Sequence, residues 1–141
     1  MSRMLKEATG RCLCSAVTFV INGEVSSFHL CYCSRCRRST ASAHASNIFT
    51  QPNNIEWLSG KNHIQRYELA TAKSWAKQFC KICGSGLPYI NRSGTFLVVP
   101  AGSLDDDHDL VPDDRIFCQS RAAWIDGIET LTEFPQLPDK F

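Results

Sequence analysis

Short runs of alternating apolar and polar positions, broken by turn residues, extend through most of the chain. Residues 10–21 end in the β-branched and aromatic run Val17-Thr18-Phe19-Val20-Ile21, which predicts a strand. Asn22-Gly23 follows, and since both positions tolerate positive φ the pair predicts a tight hairpin turn. The returning segment, residues 25–30, sets Phe28 and Leu30 on one face and leads into Cys31. That hairpin would place Cys12 and Cys14 on the strand beside Cys31 and Cys33.

The polar, small-residue stretch 37–46 reads as a loop with at most one helical turn. Further strands are expected at 47–50, 55–58, 63–69, 74–79 and 87–91. Pro52-Asn53-Asn54 and Ser59-Gly60 are turn signals between them. Thr95-Phe96-Leu97-Val98-Val99 is apolar on both faces and predicts a central strand, and extended structure resumes at 115–117. Turns recurring about every 8–12 residues mark a mainly β domain.

Composition narrows this picture. The chain has 141 residues, 43% of them apolar, enough for one domain with a core. Residues 1–9 read as a leader, 10–128 as the domain and 129–141, with Pro135 and Pro138, as an irregular tail. A formal charge of +1 gives no broad field for a phosphate backbone, so no nucleic-acid partner is expected. The opening residues lack an apolar signal core, and no stretch approaches the roughly 18–20 apolar residues of a membrane helix. A cytoplasmic protein without membrane attachment is the resulting expectation.

That compartment changes the reading of the eight cysteines, because thiols in a reducing environment are more often metal ligands than disulfides. Cys12-Leu13-Cys14 and Cys80-Lys81-Ile82-Cys83-Gly84 together offer the four thiolates of a closed zinc site, with Gly84 free to turn the chain back over the ion. Cys31-Tyr32-Cys33-Ser34-Arg35-Cys36 offers three more. Two zinc ions per chain are therefore expected, iron–sulfur being the alternative for such soft ligands. Three protein ligands leave one position for a substrate, and a thiol captured there would lose its proton. A fourth ligand from His44, His29 or Cys118 would instead close the site and make it structural. Cys118 itself, in an apolar run, reads as an ordinary buried thiol.

Arg35, Arg37 and Arg38 lie beside the triple cluster, where Arg37 and Arg38 are candidates for holding a substrate carboxylate. His108, among aspartates, reads as part of a charged surface loop. Trp57, Trp75 and Trp124 read as core residues. No phosphate-binding loop, nucleophile elbow or paired-carboxylate motif is present.

Taken together, Gly10-x-Cys12-x-Cys14, Cys31-x-Cys33-Ser34-x-Cys36-Arg37, Phe79-Cys80-x-x-Cys83-Gly84-x-x-Leu87, Gly102-x-Leu104-Asp105 and Ser120-x-Ala122-x-Trp124 resemble the glutathione-dependent formaldehyde-activating enzymes, a family that includes centromere protein V. The resemblance implies a β-tent of antiparallel sheets stapled by zinc. It also implies a structural zinc on Cys12, Cys14, Cys80 and Cys83 and a second zinc on Cys31, Cys33 and Cys36. The implied reaction is of the carbon–sulfur lyase class, addition of glutathione to formaldehyde to give S-(hydroxymethyl)glutathione. This chain has Tyr32 where the family often has His, Ser15 and Ala41 where it commonly has Gly, and Arg115 where it often has His. Beside the enzyme stands a second expectation, a non-catalytic zinc-stabilised module that engages a protein partner.

Overall fold

The structure is a computed structural model and describes residues 3–140. β1 (Met4–Arg11) pairs antiparallel with β2 (Thr18–Cys31), from Met4 opposite Glu24 to Arg11 opposite Thr18. Residues 4–9, expected to precede the domain, therefore form most of an integral strand. Charged Lys6 and Glu7 hide it in the sequence. A bulge between Leu5 and Ala8, with Glu7 at φ 50°, turns both apolar side chains into the core and leaves the charges outside.

Asn22-Gly23 makes no hairpin, because β2 runs through it unbroken for 14 residues. The Asn22 side-chain oxygen accepts the Glu7 amide at 2.7 Å and so braces the bulge. Gly23, at φ 146°, makes room for Asn54, whose side chain would lie 2.1 Å from a Cβ added there. Asn54 donates to the Thr50 hydroxyl at 2.7 Å, and that hydroxyl donates to the Glu24 carbonyl at 2.7 Å. The fully buried Thr50 is thereby satisfied. A residue pair that permits unusual backbone serves a close approach here instead of a turn.

The first half of β2 also pairs with β4 (Ile55–Ser59), and its second half pairs with β3 (Ala45–Thr50). Beyond β3 the sheet continues through β9 (Leu97–Pro100) to β8 (Tyr89–Ile90). β10 (Asp114–Ile116) joins β2 as the parallel member of an otherwise antiparallel array. A second sheet holds β5 (Ile64–Glu68), β6 (Ala76–Cys80) and β7 (Gly86–Leu87), all antiparallel. The fold is mainly β, as expected. β9 has a neighbour on each side and buries Leu97, Val98 and Val99, in keeping with its two-faced apolar run.

Phe19, Ile21, Ile48, Leu97 and Val99 from the first sheet meet Leu87 from the second in one core. Each such side chain contributes about 1.5–3 kcal/mol. Cys12 and Cys80 are part of this core, so the first cysteine cluster is seated where the two sheets join. Gly10 lies so close to the Phe19 ring that an added Cβ would meet it at 2.3 Å. The next strand position, Thr9, accepts the Asp105 amide at 2.9 Å. Two separated motif fragments, around Gly10 and Leu104, are thus one contact.

Two sequence expectations fail near the C-terminus. Trp57 packs edge-on against Phe19 with ring centroids 5.6 Å apart, but Trp124 is 65% exposed. Cys118 is partly exposed, with its thiol 3.5 Å from the Arg115 carbonyl. Both lie beyond β10, where the chain closes local turns such as Ile125 to Ala122 and Leu131 to Ile128, and apolar residues there gain no sheet to pack on. No helix among the described residues is long and apolar enough to cross a membrane.

Candidate metal centres

Cys12 and Cys14 lie in the turn between β1 and β2, while Cys80 ends β6 and Cys83 follows in the next turn. The four sulfurs lie within 4.8 Å of one another, with Cys12 to Cys14 at 3.7 Å and Cys14 to Cys80 at 3.9 Å. A tetrahedron of sulfurs about 2.3 Å from a central ion has edges of about 3.8 Å. The donor set therefore fits an ion.

Positive φ at Ser15 (66°) and Gly84 (78°) bends each turn back, and the Gly84 amide closes its turn on the Cys80 carbonyl at 2.8 Å. The Val17 amide points at the Cys12 sulfur from 3.3 Å. The Ser85 hydroxyl and neighbouring amides hold Cys83 down to about 5. The Ala16 amide, the strongest single influence on Cys14, favours its thiolate, yet desolvation and the thiols of Cys12, Cys83 and Cys80 together raise it to about 11. Sulfurs that oppose one another's ionisation in this way are what a cation would relieve.

The second cluster is built where β2 runs into α1 (Ser34–Thr40). Cys31 ends the strand, Cys33 caps the helix by accepting the Cys36 amide at 3.3 Å, and Cys36 sits in the first turn. The helix is longer than the single turn expected from sequence. It ends at Ala41 in left-handed backbone (φ 53°, ψ 37°). The three sulfurs again lie within 4.8 Å of one another. Hydrogen bonding from Cys36 lowers the Cys31 thiol to about 6 despite burial, and the same contact raises Cys36.

Among the described residues this group has three members. His29 is instead held by Asp114 at 2.5 Å, and His44 lies against Tyr32 (ring centroids 5.0 Å apart) with Nδ1 3.3 Å from the Ser46 hydroxyl. Cys118 is turned toward Arg115. The two clusters are not on neighbouring strands, since β2 separates them. The fold nevertheless reunites them: Cys12, Gly84 and Ser85 from one, and Cys36 and Thr40 from the other, line a single cavity of about 650 Å³.

Tyr89, which sequence reasoning missed, also lines this cavity. Burial raises its phenol, with the nearby Cys36 charge adding to the effect. Its place in β8 gave no sign that it shares a cavity with the cysteines. Of the arginines, Arg35 and Arg38 line a second, adjoining cavity, whereas Arg37 lines neither and has its Nε buried without a partner. His108, at φ 54° in the Asp-rich loop, is half-buried and lies outside both cavities.

Residues 7–120 match a family described as glutathione-dependent formaldehyde-activating enzyme. In three dimensions the chain is similar to the crystal structure of a Rhodobacter sphaeroides protein, with a TM-score of 0.59 and 23% identity over 76% of this chain and 98% of that one. At that identity the likeness is one of fold. No curated protein matches the chain. The family match spans all seven clustered cysteines and the contact between Thr9 and Asp105, and the chain belongs to the glutathione-dependent formaldehyde-activating enzyme family.

Proposed function

We propose that the protein is a zinc-dependent enzyme of the carbon–sulfur lyase type that joins glutathione, or a similar small thiol, to an aldehyde. The observation that carries this reading is a three-cysteine cluster, with no fourth ligand among the described residues, opening through Cys36 onto a cavity of about 650 Å³. Family membership supports it. Cys12, Cys14, Cys80 and Cys83 would hold a structural zinc, and Cys31, Cys33 and Cys36 a second, reactive zinc. A zinc ion with three protein ligands supplies an open position at which a thiol is held as its thiolate.

In the reaction a bond forms between the thiol sulfur and the carbonyl carbon, the C=O π pair moves to oxygen, and that oxygen takes up a proton. The chain's own groups shape these steps. Cys33, locked as the helix cap, fixes Cys36 relative to Cys31. Tyr89, kept neutral by burial, is a proton-bearing donor for the developing alkoxide. Arg38 is the better placed of the two candidate arginines for a substrate carboxylate, because Arg37 lines neither cavity.

The scaffold reading draws on one observation of its own, the exposed Phe117, Trp124, Leu131, Phe134 and Leu137. Calorimetric titration of protein carrying two zincs separates the two readings. The enzyme requires glutathione to bind with proton release and S-methylglutathione to bind weakly or not at all. Binding of neither ligand would favour the scaffold.

A further inference from the structure

The β5–β6 hairpin carries an apolar face that the thiol chemistry leaves unused. Tyr67 pairs with Lys77 across the hairpin, and the Leu69 amide bonds the Trp75 carbonyl at 3.2 Å. Strand alternation therefore sets Tyr67, Leu69, Trp75, Lys77 and Phe79 on one side, apolar apart from Lys77. Tyr67 and Trp75 meet edge-on with centroids 6.3 Å apart, and Tyr67 remains 51% exposed. Opposite them stands α1, whose Arg35 and Arg38 are three positions apart and so on one helical face. Between hairpin and helix lies a groove of about 550 Å³. Neither guanidinium has an ion-pair partner among the described residues.

This groove adjoins the cysteine cavity, since Ser39, Trp75, Lys77 and Gly84 border both. To reach the cavity that Cys36 lines, the reactive end of a ligand held in the groove must pass the 2.6 Å hydrogen bond between Lys77 and the Ser39 carbonyl. The groove's floor of Tyr67, Leu69, Trp75 and Phe79 finds little apolar surface to pack on in glutathione, whose body is polar throughout. It is also far larger than formaldehyde, whose single carbon has almost no apolar surface to bury. Four apolar side chains beneath two unpaired guanidiniums match an aromatic or branched body that carries a carboxylate.

We infer that the groove binds the aldehyde partner, and that this partner is an apolar, carboxylate-bearing aldehyde, with an aromatic one the best fit. The inference rests on the proposed thiol–aldehyde addition. The reaction balances as before: the thiol sulfur bonds the carbonyl carbon, the C=O π bond is lost, and the oxygen gains the proton the thiol gave up.

Two measurements on the two-zinc protein test it. The first is calorimetric binding of 4-(hydroxymethyl)benzoate, an unreactive analogue, to the wild type and to Arg35→Ala, Arg38→Ala and Trp75→Ala. Each variant should bind it at least tenfold more weakly with unchanged circular dichroism. The second compares 4-carboxybenzaldehyde, benzaldehyde and formaldehyde as partners of glutathione, and kcat/KM should fall in that order, by at least tenfold overall. Absent binding, or binding that all three variants retain, overturns the groove whatever happens to formaldehyde. Binding as expected with formaldehyde the better substrate overturns its assignment to the aldehyde while leaving the thiol–aldehyde enzyme standing. Binding as expected with no aldehyde consumed supports the groove as a ligand site and sinks the enzyme reading instead.

Discussion

Lys77, the second residue of β6, donates a 2.6 Å hydrogen bond to the Ser39 carbonyl near the end of α1. The bond ties the helix that bears Cys36 to the hairpin that ends in Cys80. Hydrogen bonds from charged donors contribute about 1.5–3 kcal/mol. Lys77→Met keeps the aliphatic stem and removes only this tie. On the proposed two-zinc reading, the expected outcome is a folded protein whose Cys31–Cys33–Cys36 zinc is extracted by a chromophoric chelator about tenfold faster, with the other released at the wild-type rate.

The two clusters should respond differently to loss of a single sulfur. Cys80 is fully buried and belongs to the core that joins the sheets. Structural zinc contributes about 10–16 kcal/mol in small domains, comparable to or above the roughly 5–15 kcal/mol of a whole domain. Cys80→Ser is therefore expected to abolish cooperative unfolding in thermal melts. Cys33→Ser should leave a folded protein with one zinc by elemental analysis and no glutathione-dependent activity. A melt lost in both variants would make the second cluster structural.

Ala41 ends α1 at φ 53°, a backbone conformation that costs an L-residue about 1–2 kcal/mol. Glycine removes that strain but adds unfolded-state freedom of about 0.4–1 kcal/mol. Ala41→Gly should therefore stabilise by about 0.5–1 kcal/mol, raising the Tm by about 2–4 °C. Ser15 poses the same strain, but its hydroxyl accepts Arg11 at 2.7 Å, so Ser15→Gly should gain less in the same thermal scan.

Asp113 accepts both Arg3 guanidinium nitrogens, at 2.8 and 3.0 Å, and the Phe28 amide at 2.9 Å. These contacts, the Arg3 hydrogen bond foremost, hold its carboxyl below the ordinary value. The unfolded chain thus takes up a proton first as the pH falls. The pair's stabilisation is complete above the ordinary carboxyl range and disappears as the pH drops through the lowered value. Asp113→Asn should reduce the urea midpoint at pH 6, and the gap between the two proteins should narrow as the pH falls below the ordinary carboxyl range. Parallel curves across that range would show that Asp113 does not titrate this way.

The strands were legible where alternation and turn residues agreed, as at β4, β5 and β9. Local spacing marks Cys12-x-Cys14, Cys31-x-Cys33-x-x-Cys36 and Cys80-x-x-Cys83 as units, but only the fold brings the first and last within 4.8 Å. β1 was not legible, because a bulge broke its alternation just where Lys6 and Glu7 fall. Asn22-Gly23 misled for a related reason: the sequence states what backbone the pair permits, and only Asn54 across the sheet decides how it is used. Tyr89 and the Arg35 and Arg38 groove depend on elements distant in the chain, and no local pattern reports them.

β2 begins four residues after Cys14 and ends at Cys31, so its length is the ruler that separates the two sulfur clusters. Lengthening this ruler by one residue would do more than move Cys31 by about 3.3 Å, since each added residue exchanges the two faces of everything beyond it. Phe28 would turn out of the core and Cys31 away from Cys36. Substitutions along β2 can accumulate one at a time, whereas an insertion within it has to be absorbed by a bulge such as the register shift between Val25 and Ser27. Among relatives of this chain, variation in length should therefore fall in the turns that flank this strand and spare the strand itself.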